Sequence, residues 1–129
     1  MNLKNLSKNL VKFLKLSNQF LIVASLFLSA PIFPAVQVIK PSENSYQDIQ
    51  EALILAEPGD IIRLSAGVFS LEDSLSLDVA GVQIEGEGMS QTILDFSNQL
   101  SGAQGLSVTS NNVTLQDFAI QNAKGDAIK

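Results

Sequence analysis

Gly59 to Glu85 reads GDIIRLSAGVFSLEDSLSLDVAGVQIE, and its spacing decides the fold. Short β-rich runs are separated by Gly, Ser and Asp, and Gly59-Asp60-Ile61-Ile62-Arg63-Leu64 returns in type 21 residues later as Ala80-Gly81-Val82-Gln83-Ile84-Glu85. A second echo lies 22 residues apart, where Gln104-Gly105-Leu106-Ser107 is answered by Asp126-Ala127-Ile128-Lys129. A repeat of just over twenty residues holding three short strands is the length of one turn of a parallel β-helix.

Strands are expected at Ile61–Leu64, Val68–Leu71, Leu75–Leu77, Val82–Glu85, Thr92–Phe96, Leu106–Thr109, Val113–Leu115 and Phe118–Ile120. Several alternate apolar with polar, as Val82 and Ile84 do against Gln83 and Glu85, so one face of each is meant for an interior. From Val82 to Val113 the interval is 31, and the polar stretch Asn98–Gly102 is where an inserted loop is expected. Gly81 and Asn112 precede matching strand starts, and both types tolerate the left-handed backbone of a sharp corner. A β-sandwich or barrel is the competing arrangement; it would bring hairpin turns such as Asn-Gly, and none occurs. No asparagine-and-leucine consensus recurs, which disfavours a leucine-rich repeat.

Upstream, Tyr46 to Glu57 (YQDIQEALILAE) carries Ile49, Leu53 and Ala56 at helical spacing, with Ala52 and Leu55 widening the stripe. Ser45 stands at the N-cap position and Pro58-Gly59 stops the run. No second helix follows, so the apolar face must cover the end of the strand stack.

The N-terminus has a different purpose. Lys4, Lys8, Lys12 and Lys15 precede the apolar run Phe20 to Ala30, and all thirteen carboxylates lie at or after Glu43. This is the order of a secretory signal with cleavage after Ala30 or Ala35; the run is short for a bilayer span, an uncleaved anchor being the alternative. The expected division is therefore 1–35 signal peptide, 36–45 linker, 46–58 capping helix and 59–129 the first turns of the coil, with the product secreted or periplasmic and touching membrane only through the signal segment.

The whole chain has net charge -5. From Val36 onward Lys40, Arg63, Lys124 and Lys129 face thirteen acids, about -9. Such a surface repels phosphate and sets nucleic acid aside as a partner. With no cysteine and no histidine, disulfides, thiolate metal sites and imidazole bases are excluded, leaving carboxylates, Lys, Arg and Tyr46 for any chemistry.

Ile49 to Asn98 resembles the opening of exported pectate-lyase-like right-handed β-helix proteins, in which "IQ.A...A..GD.I.L..G.Y" leads into "V.I.G.G...T.L". Phe69 takes the place of the usual aromatic, and Gly86-Glu87-Gly88 is the G-x-G corner. Val113 to Lys129 is similar to bacterial parallel β-helix domain proteins in which "GDAIK" leads into further turns. The resemblance implies an all-β, right-handed parallel β-helix solenoid with an N-terminal capping α-helix, and an N-terminal fragment of a longer coil whose last turn, with Phe118, Ile120 and Ile128, lies open. Members include pectate and alginate lyases, polygalacturonases, methylesterases, epimerases and non-catalytic surface proteins, so fold does not fix activity. Their active-site groups stand on middle turns, and no catalytic residue is carried over.

Two functions follow as expectations. One is a polysaccharide-related protein, lyase-, hydrolase- or epimerase-like in complete form, acting on an acidic, plant or algal polymer. The other is a non-catalytic binding or structural solenoid. Glu85 and Glu87 at a corner, and Asp95, Asp117 and Asp126 across successive turns, are the acids able to take calcium or act as a pair on sugar; the plainer expectation is that they are solvated. No other cofactor is indicated, and catalytic and metal-binding residues stay unassigned. Arg63, Lys124 and Lys129 are the candidate cations, Arg63 alternating outward between Ile62 and Leu64. Asn111 and Asn112 are expected to begin a ladder of side-chain amides. Gly86-Glu87-Gly88 is only superficially a phosphate loop, lacking the further glycine and the helix.

Overall fold

Strands in the computed structural model, which describes residues 33–129, form where branched and aromatic residues alternate with polar ones. They are β1 (Val36–Ile39), β2 (Ile61–Leu64), β3 (Gly67–Ser70), β4 (Leu75–Leu77), β5 (Gln83–Glu85), β6 (Thr92–Asp95), β7 (Leu106–Val108), β8 (Thr114–Gln116) and β9 (Ala119–Gln121), with one helix, α1 (Ser45–Leu55). The expected signal region, including the Ala30 cleavage site, lies outside the described residues apart from its last three positions. Among the described residues no helix is long and apolar enough to cross a membrane.

Every strand pair is parallel. Sheet 1 has the order β1-β2-β5-β8, sheet 2 the order β3-β6-β9, and sheet 3 pairs β4 with β7. From β2 onward the chain visits sheets 1, 2 and 3 in turn, and each strand lies against its counterpart from the previous circuit. Among the described residues the arrangement is mostly β, all-parallel, with a single helix, and the hairpins of a sandwich are not among the pairings.

Stacking creates inward columns: Ile62, Ile84 and Leu115 in sheet 1, Phe69, Leu94 and Ile120 in sheet 2, and Leu75 and Leu106 in sheet 3. Their first two members are buried throughout, while Leu115 and Ile120 are half-buried. At roughly 25 cal/mol per Å2 of apolar surface removed from water, these columns supply the main force holding one circuit on the next.

The 22-residue echo is real at its second occurrence, where Leu106 bridges Ile128 in parallel. The expected 21-residue match is off by one. Ile61 pairs with Gln83 and Ile62 with Ile84, an offset of 22, because Gly59 stacks on Gly81 rather than on Ala80. Both glycines have positive φ (99° and 76°), and Gly59 N–H donates to the Gly81 carbonyl at 3.2 Å. Asn112 continues this corner with φ 58°, as its residue type led one to expect. The 31-residue interval is also observed, both for Leu75 to Leu106 and for Gln83 to Thr114, and the stretch between Asp95 and Leu106 holds most of the additional residues.

The helix buries Ser45, Ile49, Ala52 and Leu53. Two expectations need correction. The N-cap is Asn44, without a side-chain cap bond; Ser45 is the first helical residue, and its buried hydroxyl bonds back to Ser42, donating to the carbonyl (2.7 Å) and accepting from the N–H (2.9 Å). Leu55 does not widen the buried stripe but is 68% exposed, because it projects from a side of the helix away from Ile49 and Leu53; the helix ends with it, since Ala56 is extended (φ -62°, ψ 145°) and Pro58 disfavours helical backbone at Glu57. Val36–Ile39, expected within a linker, is a strand that opens sheet 1 against β2. Asp60 ties this region together, its carboxylate accepting from Ala35 N–H (2.8 Å) and Glu57 N–H (2.9 Å), and the two donors, Glu57 first, hold its pKa below the ordinary 3.8.

Candidate functional site on the outer face of sheet 1

Because side chains alternate across a strand, the register that buries Ile62 and Ile84 sends their neighbours outward. Two outward columns result. One runs Val36, Ile61, Gln83, Thr114; the other runs Val38, Arg63, Glu85, Gln116. Val36 and Val38 are about half exposed (49% and 54%), so the face passes from apolar at β1 to polar at β5 and β8.

Glu85 is the hub. Arg63 reaches its Oε1 through Nη2 at 2.5 Å and Nε at 2.6 Å, while the amide nitrogens of Gln83 (2.8 Å) and Gln116 (3.3 Å) donate to Oε2. Three successive strands thus converge on one carboxylate. Its pKa is held below the ordinary 4.5, chiefly by the hydrogen bond from Arg63; desolvation opposes this, and Gln83, the Arg63 charge and Gln116 add to it. The one-residue error in the expected register hid this pair, since an offset of 21 would place Arg63 beside Ile84. Glu85 does have a cationic partner, and Arg63, outward as expected, is not a free cation.

The pair makes stability depend on acid in a defined direction. A carboxylate with a depressed folded pKa stabilises fully above its unfolded value and loses that contribution as pH falls through the folded one. The melting temperature of the wild type should therefore exceed that of Glu85→Gln by a constant amount above about pH 5, and the gap should close as Glu85 protonates in the fold. A gap that persists in acid would mean the carboxylate charge is irrelevant. Because Arg63 is largely exposed, high salt should also narrow it.

The other acids stand apart. Asp95 ends β6, stacks on Gln121, and accepts from the Ser97 hydroxyl (2.6 Å), the Asn122 amide (2.8 Å) and Ser97 N–H (3.0 Å); Ser97 first and Asn122 second hold its pKa down. Asp117 sits at a positive-φ corner (60°) where its carbonyl accepts from Gly88 N–H, and Asp126 accepts through its carbonyl from Gly105 N–H. Glu87 is exposed. Asp95, Asp117 and Asp126 therefore occupy three different positions of the circuit and are not brought together, and among the described residues no three carboxylates converge as a metal group.

Lys124 and Lys129 are held by their backbone, Lys124 N–H on Gln99 (3.1 Å) and Lys129 paired with Leu106 and Val108. The asparagine amides that bridge circuits belong to Asn98, bonded to Ser70 (3.0 Å), and Asn122, rather than to Asn111 and Asn112. Gly86-Glu87-Gly88 offers an anion no free donors, since its three N–H groups bond to Gln116, Thr92 and Asp117.

Sequence reasoning missed Gln99, which is only 3% exposed inside the inserted stretch. Its amide nitrogen donates to Gln104 O (2.9 Å) and Ser74 Oγ (3.1 Å), and its oxygen accepts from Lys124 N–H, so one side chain links three circuits. Gln99→Ala should cost about 2 kcal/mol by orphaning these groups, read as a shift in urea midpoint at unchanged slope. A neutral result would mean water replaces the amide.

Comparison with protein-family models, with curated proteins and with solved structures finds no match to this chain.

Proposed function

We propose that this chain is an exported right-handed parallel β-helix protein of the pectate-lyase-like kind that engages polysaccharide on the outer face of sheet 1. The observation that carries the reading is the ordered passage through three parallel sheets, which sets equivalent side chains in straight outward columns spaced by one strand, about 4.8 Å. A column of polar groups at constant spacing suits a ligand that is itself a linear repeat. Export rests on the basic-then-apolar order of the N-terminus. Cleavage after Ala30 is favoured over cleavage after Ala35, because Ala35 bonds through its N–H to Asp60 and through its carbonyl to Ile61 N–H, and both would be lost or weakened.

Binding is favoured over catalysis on this face by the state of Glu85. A base that abstracts the proton beside a uronate carboxylate needs a raised affinity for that proton, whereas Arg63 lowers it, and the same bond occupies the guanidinium that would stabilise the developing charge. Calcium is kept as a ligand to test. The chain should be retarded in gels containing polysaccharide and should release no unsaturated uronate product, with or without calcium. Unretarded migration through every polymer of a broad panel would end the polysaccharide reading, and product release would restore the catalytic one.

A further inference from the structure

The outer face of sheet 1 presents an uneven set of hydrogen-bonding groups. Gln83 and Gln116 each turn an amide nitrogen toward Glu85 and donate one N–H to it, which leaves the carbonyl oxygens of both amides to other donors. Thr114 lies exposed beside them, in register with Gln83. The guanidinium of Arg63 is neutralised by the carboxylate it grips. Toward β1 the same face turns apolar, with exposed Val38 in line with Arg63 and Val36 in line with Ile61.

We infer that this face selects neutral glycans, with hydroxyl groups donating to the Gln83 and Gln116 carbonyl oxygens and a sugar C–H face lying on Val36 and Val38, and that it rejects polyuronates. The inference rests on the polysaccharide reading above and narrows its ligand class. A carboxylate on the incoming polymer cannot donate to the two glutamine carbonyl oxygens, and it meets Glu85 with its cation already neutralised. The surrounding body adds about -9 from Val36 onward, so repulsion extends beyond contact distance at low salt. A neutral polyol meets neither penalty, because its hydroxyls both donate and accept.

The test is affinity electrophoresis of the full chain in gels containing hydroxyethyl cellulose, galactomannan, xylan, polygalacturonate or alginate, with calcium chelated. Retardation by at least one neutral polymer and by neither polyuronate is expected. Gln83→Ala and Gln116→Ala should each weaken neutral binding roughly three- to tenfold, the value of one or two hydrogen bonds, with melting curves confirming that each variant folds. Glu85→Gln should lower neutral binding while creating low-salt retention on polygalacturonate, since it frees Arg63.

Retardation by polyuronates, alone or together with neutral polymers, would overturn the neutral class while leaving polysaccharide binding in place. Neutral retardation that both glutamine variants leave unchanged would overturn the site. Failure of every polymer to retard the chain would remove this inference and the broader reading together.

Discussion

Gly86→Ala should destabilise the protein by about 3 kcal/mol, more than an alanine at any corner glycine with open space around it. A methyl group on Gly86 would lie 2.2 Å from the Asp117 carbonyl oxygen, 2.8 Å from Thr92 Cβ and 2.9 Å from Phe118 Cβ. None of these can yield cheaply. The Asp117 carbonyl accepts from Gly88 N–H at 2.8 Å, the neighbouring Gln116 carbonyl accepts from Gly86 N–H at 3.0 Å, and Thr92 is fully buried with its hydroxyl bonded to the corner. Relief would require β8 to move away from β5 and would loosen the stacking that supports Glu85.

Gly59→Ala is the natural control. Nothing lies within 4 Å of its added methyl, but φ is 99°, so the cost is left-handed strain alone, about 1–2 kcal/mol. Urea midpoints of the two variants, compared at equal slopes, separate a collision between circuits from a local backbone penalty. If Gly86→Ala proves no worse than Gly59→Ala, the circuits are not packed as closely as this corner requires.

The strands were legible because period-two alternation survives in segments as short as Leu75-Ser76-Leu77, and because turn residues separate them. Register was not, for a specific reason. Ile61 and Ile62 are both apolar, so anchoring the match on Ile61 and Val82 gives 21, although that offset sets Ile62, Arg63 and Leu64 against Gln83, Ile84 and Glu85, and a slip of one residue exchanges the faces. The deciding signal was the pair Gly59 and Gly81, whose shared left-handed conformation only the 22-residue offset explains. That single residue separates an Arg63 that looks free from one that neutralises Glu85.

Other omissions have different causes. Val36–Ile39 alternates like any strand, but Val36 and Val38 face solvent and the inward position between them is the polar Gln37, so Ile39 at its end is its sole buried residue and the usual apolar inward pattern is missing. Gln99 has no periodicity to betray it, since one amide among Ser, Asn and Gly reads as a loop. Its burial follows from the inserted segment folding back against Ser74 and Lys124, a long-range fact that no local pattern encodes.

Phe69→Ala should cost about 4 kcal/mol, a large share of the 5–15 kcal/mol available to a domain of ordinary stability. Phe69 has no exposed surface, and it heads the sheet 2 column above Leu94 and Ile120. The cavity left by its ring cannot collapse easily. Flanking Gly67 is held at φ 135° with space for only a hydrogen against Pro41, and the β3–β6 ladder fixes the backbone on the other side. Phe69→Leu keeps most of the volume and should cost about 1–2 kcal/mol. Val68→Ala, one residue along the strand but outward and 55% exposed, should change stability by no more than about 0.5 kcal/mol. The ordering matters more than the sizes, because adjacent residues of equal strand propensity are predicted to differ severalfold purely by which side of the sheet they occupy. Equal losses at Phe69 and Val68 would show that inward columns are not what joins one circuit to the next.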